Sequence, residues 1–238
     1  MSLFDDAVSV FGAAVEAADP RGAVERHLRV EGDGLLLRQG AGKERRVTIP
    51  AGRVIVVGAG KASAPMALAV EELLGERVWG GLVCVKDGHG LPLRRVGVVE
   101  ASHPVPDERG LEAAGRILDL VRGAGAEDLV IAVLSGGGSA LLTHPVEGVG
   151  LADLQALTGE LLACGAAIGE INALRKHLSA VKGGRLAAAA FPAPVVNLVL
   201  SDVVGDRLDV IASGPFTADP TTFAACGEIL DRYRLRER

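Results

Sequence analysis

Short apolar runs alternate with amphipathic stretches along most of the chain. The runs are Val54–Val57, Gly81–Val85, Val96–Val99, Leu129–Leu134 and Val195–Leu200. Uninterrupted apolar runs of strand length suit a sheet covered on both faces. Helical periodicity falls between them, over residues 62–74, 107–122, 151–167 and 170–181, with a last helix over 222–235. Strands alternating with helices predict an α/β fold, a doubly wound and mostly parallel sheet with helices on both faces. Ahead of this rhythm, residues 2–18 have helical spacing, with Leu3, Phe4, Ala7, Val8 and Phe11 as the apolar positions. Residues 30–50 are glycine-rich, with short alternation at Leu35–Leu37 and Val47–Ile49, and predict a small hairpin. Residues 1–238 read as one domain, with the segment 1–50 packed on it.

Composition narrows the class. The chain has 238 residues, enough for one large core, and 49% of them are hydrophobic. Mean hydropathy is +0.32. No apolar run approaches the ~20 residues of a membrane span, so the apolar excess predicts a thick buried core and no membrane partner. The net charge is −5, basic residues are dispersed, and Trp79 and Tyr233 are the single Trp and Tyr; a nucleic-acid surface is not expected. Cys84, Cys164 and Cys226 lie far apart without a C-x-x-C pair, which predicts buried thiols rather than disulfides or a zinc site. Asp5 and Asp6 stand where a secretory signal carries base, so the expected location is the cytoplasm.

In doubly wound sheets, ligands bind beyond the carboxyl ends of the strands. The five strand ends read Gly58-Ala-Gly-Lys61, Lys86-Asp-Gly-His-Gly90, Glu100-Ala-Ser-His-Pro104, Ser135-Gly-Gly-Gly-Ser139 and Ser201-Asp-Val-Val-Gly-Asp206. Each is polar and rich in glycine or ionisable groups. At Ser135, Gly136, Gly137, Gly138 and Ser139, the missing Cβ atoms let backbone N–H groups approach a ligand, and a following helix would favour an anion there. Gly58 and Gly60 begin a G-x-G-x-x-G pattern, but Ser63 holds its third place. Lys61 reads either as a contact to a phosphate or carboxylate or as a solvated lysine on a tight turn. Asp202 and Asp206 suit Mg²⁺, which takes one or two carboxylates beside phosphate oxygens; turn chemistry is the alternative. On the helix after Glu170, Asn172, Lys176 and Ser179 share one face and Arg175 a neighbouring one, a cationic surface for an anionic substrate. His89 and His103, at two strand ends, read as acid/base groups, ligand contacts or turn residues.

These segments together resemble the glycerate 2-kinases of the glycerate kinase/MOFRL family, some of which carry the older name hydroxypyruvate reductase. The resemblance rests on GAGKAS at 58–63, KDGHG at 86–90, ASHPVPDERG at 101–110 and LSGGGSALL at 134–142. It continues through NALRKHLSAVKGGRLA at 172–187, LSDVVGDRLDVIASGP at 200–215 and DPTTF at 219–223. It implies a Rossmann-like domain and transfer of the γ-phosphoryl group of ATP, with Mg²⁺, to a hydroxyl of D-glycerate. By the same resemblance, Lys61 matches the active-site lysine, Ser135–Ser139 the phosphate loop, Asp202 the acidic residue near metal and acceptor, and Arg175 and Lys176 the basic helix.

Phe216 departs from the family pattern, where a small hydroxyl residue is expected. The family's second-domain motifs have no counterpart in the chain. The resemblance therefore implies one half of an interdomain site, completed by a C-terminal domain, a separate subunit or a homodimer. An NAD(P)-dependent hydroxypyruvate reductase and a non-catalytic nucleotide- or anion-binding remnant are the rival readings. The first is weakened by the missing third glycine.

Overall fold

The computed structural model describes residues 2–236. Helices α1 (Leu3–Ala17) and α2 (Pro20–His27) lead into an antiparallel meander of β1 (Leu28–Glu31), β2 (Gly34–Arg38) and β3 (Glu44–Thr48). The α/β part then runs β4 (Val54–Ala59), α3 (Ser63–Leu74), β5 (Val78–Lys86), β6 (Val96–Ala101), α4 (Glu108–Arg122) and β7 (Leu129–Leu134). It continues with α5 (Gly138–Leu141), α6 (Leu151–Ala163), α7 (Ile168–His177), α8 (Arg185–Ala190), β8 (Val195–Val199) and α9 (Phe223–Arg232).

The second sheet is wholly parallel, in the order β6-β5-β4-β7-β8. This is the Rossmann-like arrangement, and its strand order reverses between β4 and β7. Both central strands are buried at every position. Their alternate residues face opposite layers. Ile55, Val57, Val130 and Ala132 pack with Ile117 and Leu118 of α4 and Leu186 of α8; Val54, Val56, Leu129 and Ile131 pack with Met66 and Val70 of α3 and with Leu28 and Leu35 of the meander. A sheet covered this way needs apolar side chains at consecutive positions, which explains the runs in the sequence. Phe216 packs partly buried against the first of these layers.

Four expectations need correction. The N-terminal helix is present, but α1 buries no residue, so Leu3, Phe4, Val8 and Phe11 face solvent rather than the domain. The hairpin gains a third strand, because Leu28 and Val30 alternate across β1 and pair it with β2. The cationic helix stops at His177 instead of residue 181: Ser179 leaves the helix to bridge Pro145, and Ala180 N–H donates to His144 O at 2.8 Å. The cysteines are all free, but Cys164 is exposed. Burial pushes the Cys84 thiol up to about 12, so it is unreactive at neutral pH. Among the described residues no helix is long and apolar enough to cross a membrane.

Two buried carboxylates fasten the sheet. Glu71 on α3 accepts the N–H groups of Arg94, Arg95 and Val96 at 2.9, 2.8 and 2.8 Å, which fixes the entry to β6. Asp128, just before β7, accepts from Arg53 N–H at 2.7 Å and Gly125 N–H at 2.8 Å. It also pairs with the Arg53 guanidinium at 2.7 Å. That guanidinium stacks 5.1 Å from the Trp79 ring centre, so the starts of β4, β5 and β7 meet at one node. The Arg53 hydrogen bonds hold the Asp128 carboxyl well below the usual carboxylate range. A depressed pKa contributes stability that is complete above the unfolded-state value and is lost as pH falls through the folded value. Asp128→Asn is therefore expected to lower stability at pH 7 by about 1–3 kcal/mol. Its gap to the parent should narrow below about pH 4, as read by urea unfolding at several pH values.

Candidate functional site

The turns after β4 and β7 leave the sheet at its reversal point and are bonded to each other. Lys61 N–H donates to Gly136 O at 2.9 Å, and Ser135 N–H to Ala59 O at 3.2 Å. The Ser135 hydroxyl accepts from Ala62 N–H at 2.9 Å, and the Ser63 hydroxyl donates to Val133 O at 2.9 Å. Glycine is required for this approach: at Gly60, with φ +141°, a Cβ would lie 2.2 Å from Ser135 Oγ. Thus Gly58 and Gly60 serve the joining of two strand ends, and Ser135 is spent on the same joint.

Gly136 and Gly137 are the half-buried glycines of the loop. Neither N–H has an acceptor within the protein among the described residues. Two adjacent free N–H groups beyond buried strands are the donors that a backbone anion concavity requires. The helix anticipated after the loop is the single turn α5, so backbone N–H groups carry the cradle with little help from a helix dipole. Gly138 is packed away, its Cβ position 2.8 Å from that of Ala212. Ser139 Oγ lies 2.6 Å from the hydroxyl oxygen of Ser213.

Three side chains rim the cradle. A Cβ on Gly136 would be 2.1 Å from Asp202 Oδ2; one on Gly137, whose φ is +86°, would be 3.1 Å from His103 Nε2 and 3.4 Å from Lys61 Cε. His89 joins them, with Nδ1 3.1 Å from the Lys61 carbonyl oxygen. Lys61, His89 and Asp202 are exposed, and His103 is half-buried. Burial, followed by the charges of Lys61, Lys86 and His89, holds the His103 imidazole below its ordinary value. His103 is thus held toward its neutral form beside the lysine ammonium groups of Lys61 and Lys86. Lys61, His89, His103, Gly136, Gly137 and Asp202 come together as one site.

Other candidate residues are placed elsewhere. Lys176 is 4% exposed and its ammonium pairs with Asp219 at 2.6 Å, so its charge is neutralised inside the protein. Arg175 points its guanidinium toward Ser139 O, at 3.4 Å, beneath the loop. Asn172 is half-buried and makes no side-chain hydrogen bond among the described residues. Asp206 is exposed with φ 49°, and its side chain has no partner among the described residues. The sequence did not separate His103 from His89 as an acid/base group, ligand contact or turn residue, and it assigned no role to Lys86. The signal for His103 was its place at a strand end, shared equally with His89; only the fold shows which faces Gly137. No group of three or more His, Cys, Asp or Glu among the described residues is arranged to hold a metal ion. The donor set that remains, one exposed carboxylate beside an anion cradle, fits Mg²⁺ held chiefly by phosphate oxygens and water.

The environment of His103 can be checked directly. Lys61→Ala should move the His103 imidazole back toward 6.5 without fully restoring it, because burial is the larger cause. Histidine NMR titration of both proteins reads this, and an unmoved His103 would separate the two side chains.

Comparison with known proteins gives a consistent picture. Residues 6–238 match the family described as Domain of unknown function (DUF4147). A glycerate 2-kinase of Pyrococcus horikoshii is 42% identical over 238 residues, covering 100% of this chain and 52% of its own. A protein of Agrobacterium vitis that carries the hydroxypyruvate reductase name is 48% identical over 226 residues, covering 95% of this chain and 48% of its own. The crystal structure of a glycerate kinase from Thermotoga maritima superposes with TM-score 0.83 at 43% identity, covering 97% of this chain and 51% of that one. The chain spans about half the length of the relatives it matches. With the fold, the motifs and these matches in agreement, the chain belongs to the glycerate kinase/MOFRL family.

Proposed function

We propose that this chain forms one wall of a kinase site that transfers the γ-phosphoryl group of ATP to a hydroxyl of D-glycerate. The observation that carries the reading is the Gly136–Gly137 cradle, with Lys61 on one side and Asp202 on the other. Phosphoryl transfer asks a protein for position and charge neutralisation more than for covalent chemistry. The cradle N–H groups would hold phosphate oxygens, and the Lys61 ammonium would offset charge that grows on them. Asp202 would orient the acceptor hydroxyl and take its proton. His103, held toward its neutral form, can donate a hydrogen bond without adding to the repulsion between Lys61 and Lys86. Mg²⁺ would be held by Asp202, with Asp206 the nearest further carboxylate in sequence, and supplies neutralisation of the phosphate oxygens when bound.

The other wall belongs to a part outside this sequence: a further domain, a separate subunit or a second copy. Support comes from bare apolar surface. Val204 is 99% exposed on the same loop as Asp202, and the apolar residues of α1 are uncovered. Such patches mark interaction surfaces. A dinucleotide site is the competing chemistry. Its acidic ribose ligand would stand at the end of β5, where Asp87 does lie. Both Asp87 oxygens are occupied by Arg109, at 2.7 and 2.9 Å, which disfavours that use.

A coupled assay for ADP release with ATP, Mg²⁺ and D-glycerate tests the proposal, with hydroxypyruvate-dependent NADH oxidation run beside it. Glycerate-dependent ADP release is expected once both walls are present. Lys61→Ala should reduce it by about 10²–10³-fold, and Asp202→Asn by a comparable factor, with the circular dichroism of each variant unchanged. NADH oxidation without ADP release would replace the kinase by a reductase.

A further inference from the structure

We propose that a separate cavity, between α6, α7 and the segment after β6, binds a small organic anion: a carboxylate or phosphate-ester head on an apolar body. The cavity measures about 260 Å³. At the ~30 Å³ share of a liquid water molecule, it has room for roughly eight non-hydrogen atoms. Pro106, Leu154 and Leu162 contribute its apolar walls, and Arg175 and Lys182 its cationic end. Neither Lys61 nor Asp202 lines it.

The decisive feature is the state of the two cations. Lys182 is 2% exposed. Its ammonium donates to Leu142 O and to no other acceptor among the described residues. Arg175 makes a single hydrogen bond, to Ser139 O at 3.4 Å. Most of the guanidinium donors and the larger part of the ammonium's are therefore unspent. No carboxylate among the described residues forms an ion pair with either group. Burial disfavours the charged form of both, and Arg175 further opposes charge on Lys182.

The neighbour in sequence provides the contrast. Lys176, on the same helix as Arg175 and buried to a similar degree as Lys182, is paired with Asp219. A buried cation is costly unless it is paired and hydrogen-bonded. Here the protein supplies a carboxylate to Lys176 and only a backbone carbonyl to each of the two cations that face a cavity. An anion entering the cavity would complete both.

The walls choose the body of the ligand. The nearby hydroxyls are already engaged: Thr143 donates to Ala140 O at 2.9 Å, and Ser179 to His144 O at 3.3 Å. Glycerate, with a hydroxyl on each carbon beyond its carboxylate, finds few partners against proline and leucine. A short aliphatic chain does. Gln155, whose side-chain amide donates to Pro106 O at 2.8 Å, ties α6 to the opposite wall and holds the cavity closed on that side. Arg175 also contacts the carbonyl of Ser139, the last residue of the glycine loop. A ligand that engages this guanidinium therefore has a direct route to the loop, as an effector would require.

The test is calorimetric titration of the chain, without nucleotide, using hexanoate, monobutyl phosphate and the uncharged 1-hexanol as probes. Saturable binding of hexanoate or monobutyl phosphate with a Kd below about 1 mM is expected, the tighter of the two naming the head group. Hexanol should bind at least about tenfold more weakly. Lys182→Met and Arg175→Met should each weaken the anion by about tenfold or more. Thr158→Phe fills the half-buried cavity wall without touching either cation. It should abolish binding, and it keeps the test decisive if a cation variant fails to fold. Hexanol binding as tightly as the anions, no saturable binding by either anion, or anion binding that survives Thr158→Phe and is lost with Lys61→Ala would each overturn the proposal. The last result would move the anion to the glycine loop. Because no nucleotide or acceptor is present, these outcomes are independent of whether the kinase reading stands.

Discussion

The site depends on how closely the ends of β4 and β7 approach. Parallel neighbours normally diverge into separate crossovers at the point where strand order reverses, and the crevice this leaves is where ligands bind. Here the crevice is bridged at its floor. Gly58 and Gly60 remove the side chains that would keep the two turns apart, and three hydrogen bonds cross the gap: Lys61 N–H to Gly136 O, Ser135 N–H to Ala59 O and Ala62 N–H to Ser135 Oγ. One consequence is that the glycine loop cannot move independently of the lysine turn. Another is that Gly136 and Gly137, next in line, have no remaining internal acceptors and must turn their N–H groups outward. The cradle results from fastening the two strand ends together.

Treatment of charge follows the same economy. Glu71 and Asp128 are buried carboxylates, and each is surrounded by backbone N–H groups that would otherwise be unpaired at strand entries. Buried ionic groups of this kind fix geometry more than they add net stability. Asp219 does the same for Lys176, and it also accepts from Thr221 N–H at 3.0 Å and the Thr221 hydroxyl at 2.7 Å. Against this background, charges without internal partners stand out in two places. One group rims the glycine loop in contact with solvent; the other lies under it, where Lys182 is buried and Arg175 half-buried. Solvent screens the first and lets it act on a charged ligand at modest cost, whereas the second is stable only as far as something else completes it.

The main sheet was legible because burial on both faces forces continuous apolar sequence, and Leu129–Leu134 coincides with its strand at both ends. The start of β5 was not, because Trp79 is exposed and Gly80 and Gly81 interrupt the run. Gly81 is there for packing: a Cβ would meet Val56 O at 1.8 Å. Helix α2 carried a readable signal that went unused, since Asp19 caps Gly22 N–H at 2.6 Å and Pro20 takes the first turn. In the site, the lysine turn, the glycine loop and Asp202 could be read from strand-end position alone. The basic helix could not. Helical spacing put Lys176 and Ser179 on one face, but spacing does not reveal an acid 43 residues away in sequence, nor that the helix ends before Ser179. The close approach of Ala212 to Gly138 was likewise hidden, because it needs left-handed backbone at Ala212 and Ser213, at φ 50° and 60°, which neither residue type announces.

The position of Asp202 then acquires a physical reason. It follows β8, at the edge of the sheet, and its carboxylate reaches the loop only because Gly136 offers no side chain. On a loop that is otherwise open, with Val204 almost wholly exposed beside it, one contact with a neighbour's backbone cannot by itself fix a carboxylate to the tolerance that proton transfer requires. Lys61 is better placed, since its own N–H and carbonyl are both held, by Gly136 and His89. The two rims of the cradle therefore differ in rigidity. The cationic rim is built into the sheet, ready for an anion, while the acidic rim needs a covering surface to order it. On the proposed kinase reading, a half-site with this asymmetry would bind phosphate before it could act on an acceptor, and covering the 203–208 loop, with its exposed Val204, would convert binding into transfer.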